Sequence, residues 1–388
     1  MTADRTLLRL PQTDGSVREY RPSAPREFPR PAEPLRARIA YAAAHVAASA
    51  HGENSPGAPA ALDWDATLAF RHHLWSYGFG VAEAMDTAQR GMGLGWTATK
   101  ELITRSAREA VAVGGLIAAG AGTDHRPEAL SLNEIRAAYS EQIETVQAAG
   151  ANVILMASRQ LAATARDAMD YHEVYAPLLA AADRPVILHW LGPMFDPALA
   201  GYWGSTDPDE AATTLLALIA EHPSKVDGVK VSMLDAELER RVRTRLPAGV
   251  RLYTGDDFHY PELIRGDGER HSDALLGIFA AIAPAASAAL QALDRADLAG
   301  FDALAGTVPL ARHLFAAPTR YYKAGIAFLA WLSGHQPGFT MVGGLQSGRS
   351  VPHYAEAYRL ADELGLFPDP DVAATRLRAF LTVAGVAQ

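Results

Sequence analysis

The chain of 388 residues contains no cysteine. Disulfides, thiolate nucleophiles and zinc or iron–sulfur sites ligated by cysteine are therefore excluded. Basic residues are in the minority: 35 Lys+Arg stand against 44 Asp+Glu, a net charge of −9. A nucleic-acid partner is not expected, because phosphate neutralisation needs a basic face. No apolar run approaches the roughly 20 residues that span a bilayer, and Met1-Thr2-Ala3-Asp4-Arg5 opens no signal-peptide apolar region. A cytoplasmic enzyme with no membrane partner is the expected class. Lysine itself is scarce, with Lys100, Lys225, Lys230 and Lys323 the whole complement.

Apolar residues make up 49% and charged residues 20%, enough to bury a large core. Residues 1–35 read as an appendage. Leu7-Leu8-Arg9-Leu10 and Val17-Arg18-Glu19-Tyr20 flank the turn signal Asp14-Gly15, and five prolines follow between Pro22 and Pro34. An arm packed on the main domain or on a neighbouring subunit is expected. From about residue 38, eight short apolar runs recur near 38–47, 78–84, 113–119, 151–157, 184–190, 226–232, 250–255 and 274–280, most of them separated by stretches of helical periodicity. Ser131-Leu132-Asn133-Glu134 reads as a capping box, and Asp207-Pro208-Asp209-Glu210 as an N-cap with Pro at the first helical position. The runs at 185–188 and 226–231 are apolar on both faces, as strands of a helix-covered parallel sheet are. Eight β/α units in about 250 residues predict an α/β fold, a (β/α)8 barrel over 36–284. Five candidate helices after that predict a C-terminal helical extension over 285–388, suited to subunit contacts in a dimer or tetramer.

In such a barrel the active site lies at the C-terminal ends of the strands. The residues expected there are Glu83, Asp86, Thr87 and Arg90 after the second strand, Asp124 and His125 after the third, His189 on the fifth, Lys230 and Ser232 on the sixth, and Asp256, Asp257 and His259 after the seventh. Lys230 is the most informative. It is a rare lysine set between Val229 and Val231 in an apolar strand, and a desolvated amine can attack a carbonyl and form a Schiff base. The structural alternative is a lysine ion-paired to a carboxylate such as Asp256. His189 ends a buried strand and suits proton transfer near neutral pH. Val342–Arg349 reads as an inter-helix loop, and His72-His73 as a solvated helix face.

Several strings, in order, resemble the dihydrodipicolinate synthase / N-acetylneuraminate lyase superfamily of class I aldolases. Asp63-Trp64-Asp65-Ala66 is similar to the start of its first helix, and Asp227-Gly228-Val229-Lys230-Val231-Ser232 to its Gly-x-Lys strand. Tyr253-Thr254-Gly255-Asp256-Asp257 is similar to its Gly-Asp-Asp, and Ala274–Ile278 and Tyr322-Lys323-Ala324 also fit. The resemblance covers about 36–365 and implies a Schiff base on Lys230. Two strings depart from it. Glu83–Gly91 stands where the family has Gly-Thr-Thr-Gly-Glu, and Leu188-His189-Trp190-Leu191-Gly192-Pro193 where it has Tyr-Asn-x-Pro, so that His189 stands at or beside the place of the family's proton-shuttling tyrosine. The chain thus resembles a divergent bacterial branch of unknown function.

The leading expectation is a class I lyase acting on a keto acid or sugar-derived keto compound, without cofactor or metal. Lys230, His189 and Asp256 would be catalytic. Glu83, Asp86, Thr87, Arg90, His125, Asp257 and His259 would hold a polyol or carboxylate. The alternatives are a metal-dependent sugar isomerase, epimerase or lyase, with Glu83, Asp124, His125, His189, Asp256 and His259 as ligands, and a binding protein that keeps the fold without catalysis.

Overall fold

The computed structural model describes residues 7–85, 89–128 and 131–388. Among these, eight parallel strands close into a barrel: β3 (Ala40–Ala43), β4 (Gly80–Glu83), β5 (Ile117–Ala121), β6 (Asn152–Leu155), β7 (Val186–Leu191), β8 (Val226–Ser232), β9 (Arg251–Thr254) and β10 (Asp273–Leu276), with β10 pairing back onto β3. Each of the eight apolar runs holds one strand. The first is shorter than its run, because residues 44–47 leave the ladder in irregular conformation and Ala48 makes only an isolated bridge to Leu62.

Local signals explain the boundaries. Asp63, Ser131 and Asp207 cap the helices Trp64–Ser76, Leu132–Ala148 and Pro208–Glu221, and Ser131 and Glu134 form the reciprocal capping box. The alternation of β-strands places Tyr41, Ala43, Ala82, Ala118, Ile154, Ile187, Tyr253 and Leu275 in an inner cluster, while the residues between them face the helices. Small alanines line the β3–β5 side. Tyr41 and Tyr253 fill the centre edge-to-face at 6.0 Å.

The hairpin β1 (Leu8–Pro11) and β2 (Val17–Tyr20) does not rest on the barrel. It lies on the C-terminal helices, with the Tyr20 hydroxyl donating to Asp362 of the helix Val351–Glu363 at 2.7 Å and the Arg26 amide donating to the Gly365 carbonyl. The helix Tyr322–Leu332 is buried along nearly its whole length and carries Lys323 toward the barrel mouth. Val342–Gly348 forms tight turns in which Gly343 and Gly344 take φ of 66° and 69°.

Candidate active site

The geometry begins at β8. His189 of β7, Lys230 of β8 and Tyr253 of β9 stand side by side in register, and Ile187 and Tyr253 belong to the inner cluster. Lys230 and His189 therefore both point into the barrel. Ser232, one pleat above Lys230, shares a 3.2 Å hydrogen bond with His189 Nε2. Gly255 makes room for the lysine stem. A Cβ there would lie 2.9 Å from Lys230 Cε and 2.1 Å from Ser232 Oγ. Lys230 keeps 8% exposure, against 1% for His189 and 3% for Asp257.

Burial first, and then the charge of Lys230, push the imidazole of His189 well below its ordinary range. It is held neutral at neutral pH, so the ionisation expected there on unperturbed His189 moves to other groups. Asp257 is one. Its carboxylate accepts the Ile278 amide at 2.9 Å and feels both Lys230 and Lys323, yet burial outweighs them and raises it to about 7. Lys323 is the other. Its ammonium donates to the Ala43 carbonyl at the end of β3, and burial lowers it to about 7 against the pull of Asp257. The interior thus holds two lysines, one neutral histidine and one carboxylic acid poised to change charge near neutrality.

Asp256 takes a different place from the one its sequence position suggests. Its Oδ1 accepts the Phe258 and His259 amides at 2.8 and 3.0 Å, and its Oδ2 pairs with His259 Nδ1 at 2.8 Å. Its hydrogen bonds hold the loop after β9, and it is the adjacent Asp257 that feels the two lysines.

The expected substrate-holding residues divide. Asp86 and Thr87 lie outside the described residues. Glu83 points outward, because its neighbour Ala82 faces in. Its carboxylate is gripped by Arg71 through two hydrogen bonds of 2.8 and 2.9 Å, with both side chains fully buried. Arg90 donates to Asp124, to the carbonyls of Ala84 and Gly120, and to Gln142. Both ring nitrogens of His125 are engaged, by Glu141 at 2.6 Å and Gln142 at 2.8 Å. These three brace the β4 and β5 ends rather than converge on Lys230.

The proposed metal ligands are likewise dispersed. Among the described residues, the His/Asp/Glu side chains whose donor atoms converge within 4.8 Å are His172, Glu221 and His222, at the outer helices. His72 bonds Glu109 while His73 packs on His335 at 4.1 Å, so the pair is not one ligand set. Tyr253, another possible proton carrier, donates its hydroxyl to Asp227 at 2.6 Å, at the opposite end of β8 from Ser232.

A cavity of about 550 Å³ opens at the strand ends on the β4–β7 side, with Leu191 its wall residue next to Ser232. It is lined from the ends of β4, β5, β6 and β7, including Trp96, Thr123, Met156, Ser158 and Leu191.

The sequence matches, over residues 8–386, the family described as "Protein of unknown function (DUF993)". The chain belongs to DUF993. No curated protein matches this DUF993 chain significantly. Its fold is that of dihydrodipicolinate synthase structures. The enzyme from Aquifex aeolicus superposes with a TM-score of 0.63 at 13% identity, covering 85% of this chain and 99% of that one. That from Bacillus clausii gives 0.63 at 15%, covering 84% and 97%, and that from Bacteroides thetaiotaomicron gives 0.62 at 14%, covering 84% and 99%. At these identities the likeness is one of fold. A divergent family on this barrel agrees with the resemblance read from the motifs.

Two residues that matter were not assigned a place in the site from sequence. Lys323 fits the superfamily's late-helix string, but nothing in the string reveals that it reaches the barrel mouth. Arg71 occupies a helix position with no sequence mark at all. The scarcity of lysine was the available signal for Lys323.

Proposed function

We propose that this DUF993 protein is a class I lyase that forms a Schiff base between Lys230 and a keto compound. The observation that carries the reading is Lys230 facing the barrel interior beside His189 and Asp257, with Gly255 leaving space for its stem. The unprotonated amine attacks the carbonyl carbon. Protonated Asp257 supplies the proton with which the carbinolamine oxygen leaves as water. The resulting iminium accepts the electron pair of the breaking C–C or C–O bond and becomes an enamine. Reprotonation of the enamine and addition of water return the amine and release the product. Lys323 lies close enough for its charge and that of Lys230 to repel. His189, held neutral and bonded to Ser232, orients the reacting groups and relays protons without storing one.

Borohydride reduction in the presence of a ketone, followed by peptide mapping, tests this. A reduced adduct on Lys230, absent in Lys230→Ala, is expected. An adduct confined to Lys100, Lys225 or Lys323, or activity retained in Lys230→Ala, overturns the reading.

A further inference from the structure

One wall residue, Leu191, ties the 550 Å³ cavity to the strand that carries the lysine. Leu191 follows His189 by two residues at the end of β7, and it pairs with Ser232, two residues beyond Lys230. The space is several times the roughly 150 Å³ that accommodates benzene in a protein interior.

Its lining decides what it can take. Several polar groups of its wall already hold one another. Thr123 and Ser158 share a 2.7 Å hydrogen bond, and Gln160 accepts from Thr123 while donating to the Thr123 and Arg126 carbonyls. Asp124 accepts from Arg90, and Arg159 pairs with Asp196 at the rim. A hydroxylated ligand would have to break these bonds to form its own. Much of the remaining wall is Leu94, Trp96, Met156, Leu191 and Leu199, apolar area that a hydrocarbon covers at less cost in lost water than a polyol does. This bears against the sugar-derived substrate that the composition of the strand ends suggested.

We propose that this cavity binds an apolar substituent of the substrate, a ring or branched hydrocarbon carried by the carbonyl compound that reacts at Lys230. The proposal rests on the Schiff-base reading for its substrate role, but the binding it requires can be measured apart from Lys230.

Benzyl alcohol, which has no carbonyl, serves as the apolar probe and glycerol as the polyol control, both followed by ligand-observed NMR. Borohydride trapping then compares 4-phenyl-2-butanone with 2-butanone. Benzyl alcohol should bind the parent and Lys230→Ala alike, and it should compete with the phenyl ketone. The phenyl ketone should give half-maximal adduct at a concentration at least about tenfold below that of butanone, from the extra apolar area removed from water. Leu191→Asp should abolish both effects. Ala163→Trp, at an exposed rim position where the fold is not at risk, should do the same by filling the opening. Adducts at Lys230 with no advantage for the phenyl ketone, or saturable glycerol binding without benzyl alcohol binding, overturn the apolar cavity and leave the Schiff base standing. Benzyl alcohol binding with no adduct from either ketone supports the cavity and sinks the Schiff base instead.

Discussion

Asp257 is held at a cost in stability, and that cost can be measured. Its carboxyl moves from 3.8 to about 7 on folding because burial disfavours the charge more than Lys230 and Lys323 favour it. A folded-state value raised above the unfolded one means that its contribution to stability is present at acid pH and is lost as pH rises toward 7. At 1.36 kcal/mol per pH unit the full loss comes to about 4 kcal/mol. Asp257→Asn keeps an oxygen for the Ile278 amide and cannot ionise. It should therefore exceed the parent in stability by about 2 kcal/mol at pH 5 and by about 4 kcal/mol at pH 8. Urea denaturation of both proteins at the two pH values gives the gap directly, and titrations common to both cancel in the difference. The same variant should lose roughly 10²-fold or more in turnover, as removal of a positioned proton carrier does. A gap that is flat with pH, or a parent more stable than Asp257→Asn at pH 8, would refute the argument. It would mean that the ionised carboxylate is net stabilising between its lysines.

Glu83→Gln strands the guanidinium of Arg71 in a fully buried wall, and it should cost about 3–5 kcal/mol in chemical denaturation; a loss below 1 kcal/mol would show that Glu83 is free for another role. Since His189 is held neutral, His189→Phe should lower turnover roughly 10²–10⁴-fold yet leave a neutral-range ionisation in the pH profile of adduct formation, which Lys323→Met should shift or remove. A neutral limb that vanishes in His189→Phe alone would return that ionisation to the imidazole.

The amino-acid sequence alone determined the barrel and the place of Lys230 on one of its strands. Eight apolar runs separated by capped helical stretches admit few arrangements other than a closed parallel sheet under helices, because each strand must be covered on both faces. A lysine between two valines in one of those strands must lie in the barrel wall or interior. Short motifs in the right order then pointed to the dihydrodipicolinate synthase-like fold. What sequence could not decide was direction. Ala82 and Glu83 are adjacent in a strand whose residues are all buried, and only closure of the barrel sends one inward and the other to Arg71. Asp256 and Asp257 are adjacent acids, and the loop that turns one onto His259 and presents the other to Ile278 and the lysines is fixed by contacts across the mouth. Lys323 arrives from a helix about ninety residues after Lys230. Whether its charge reaches the barrel depends on how that helix packs, and a local reading of sequence carries no information about packing between distant segments.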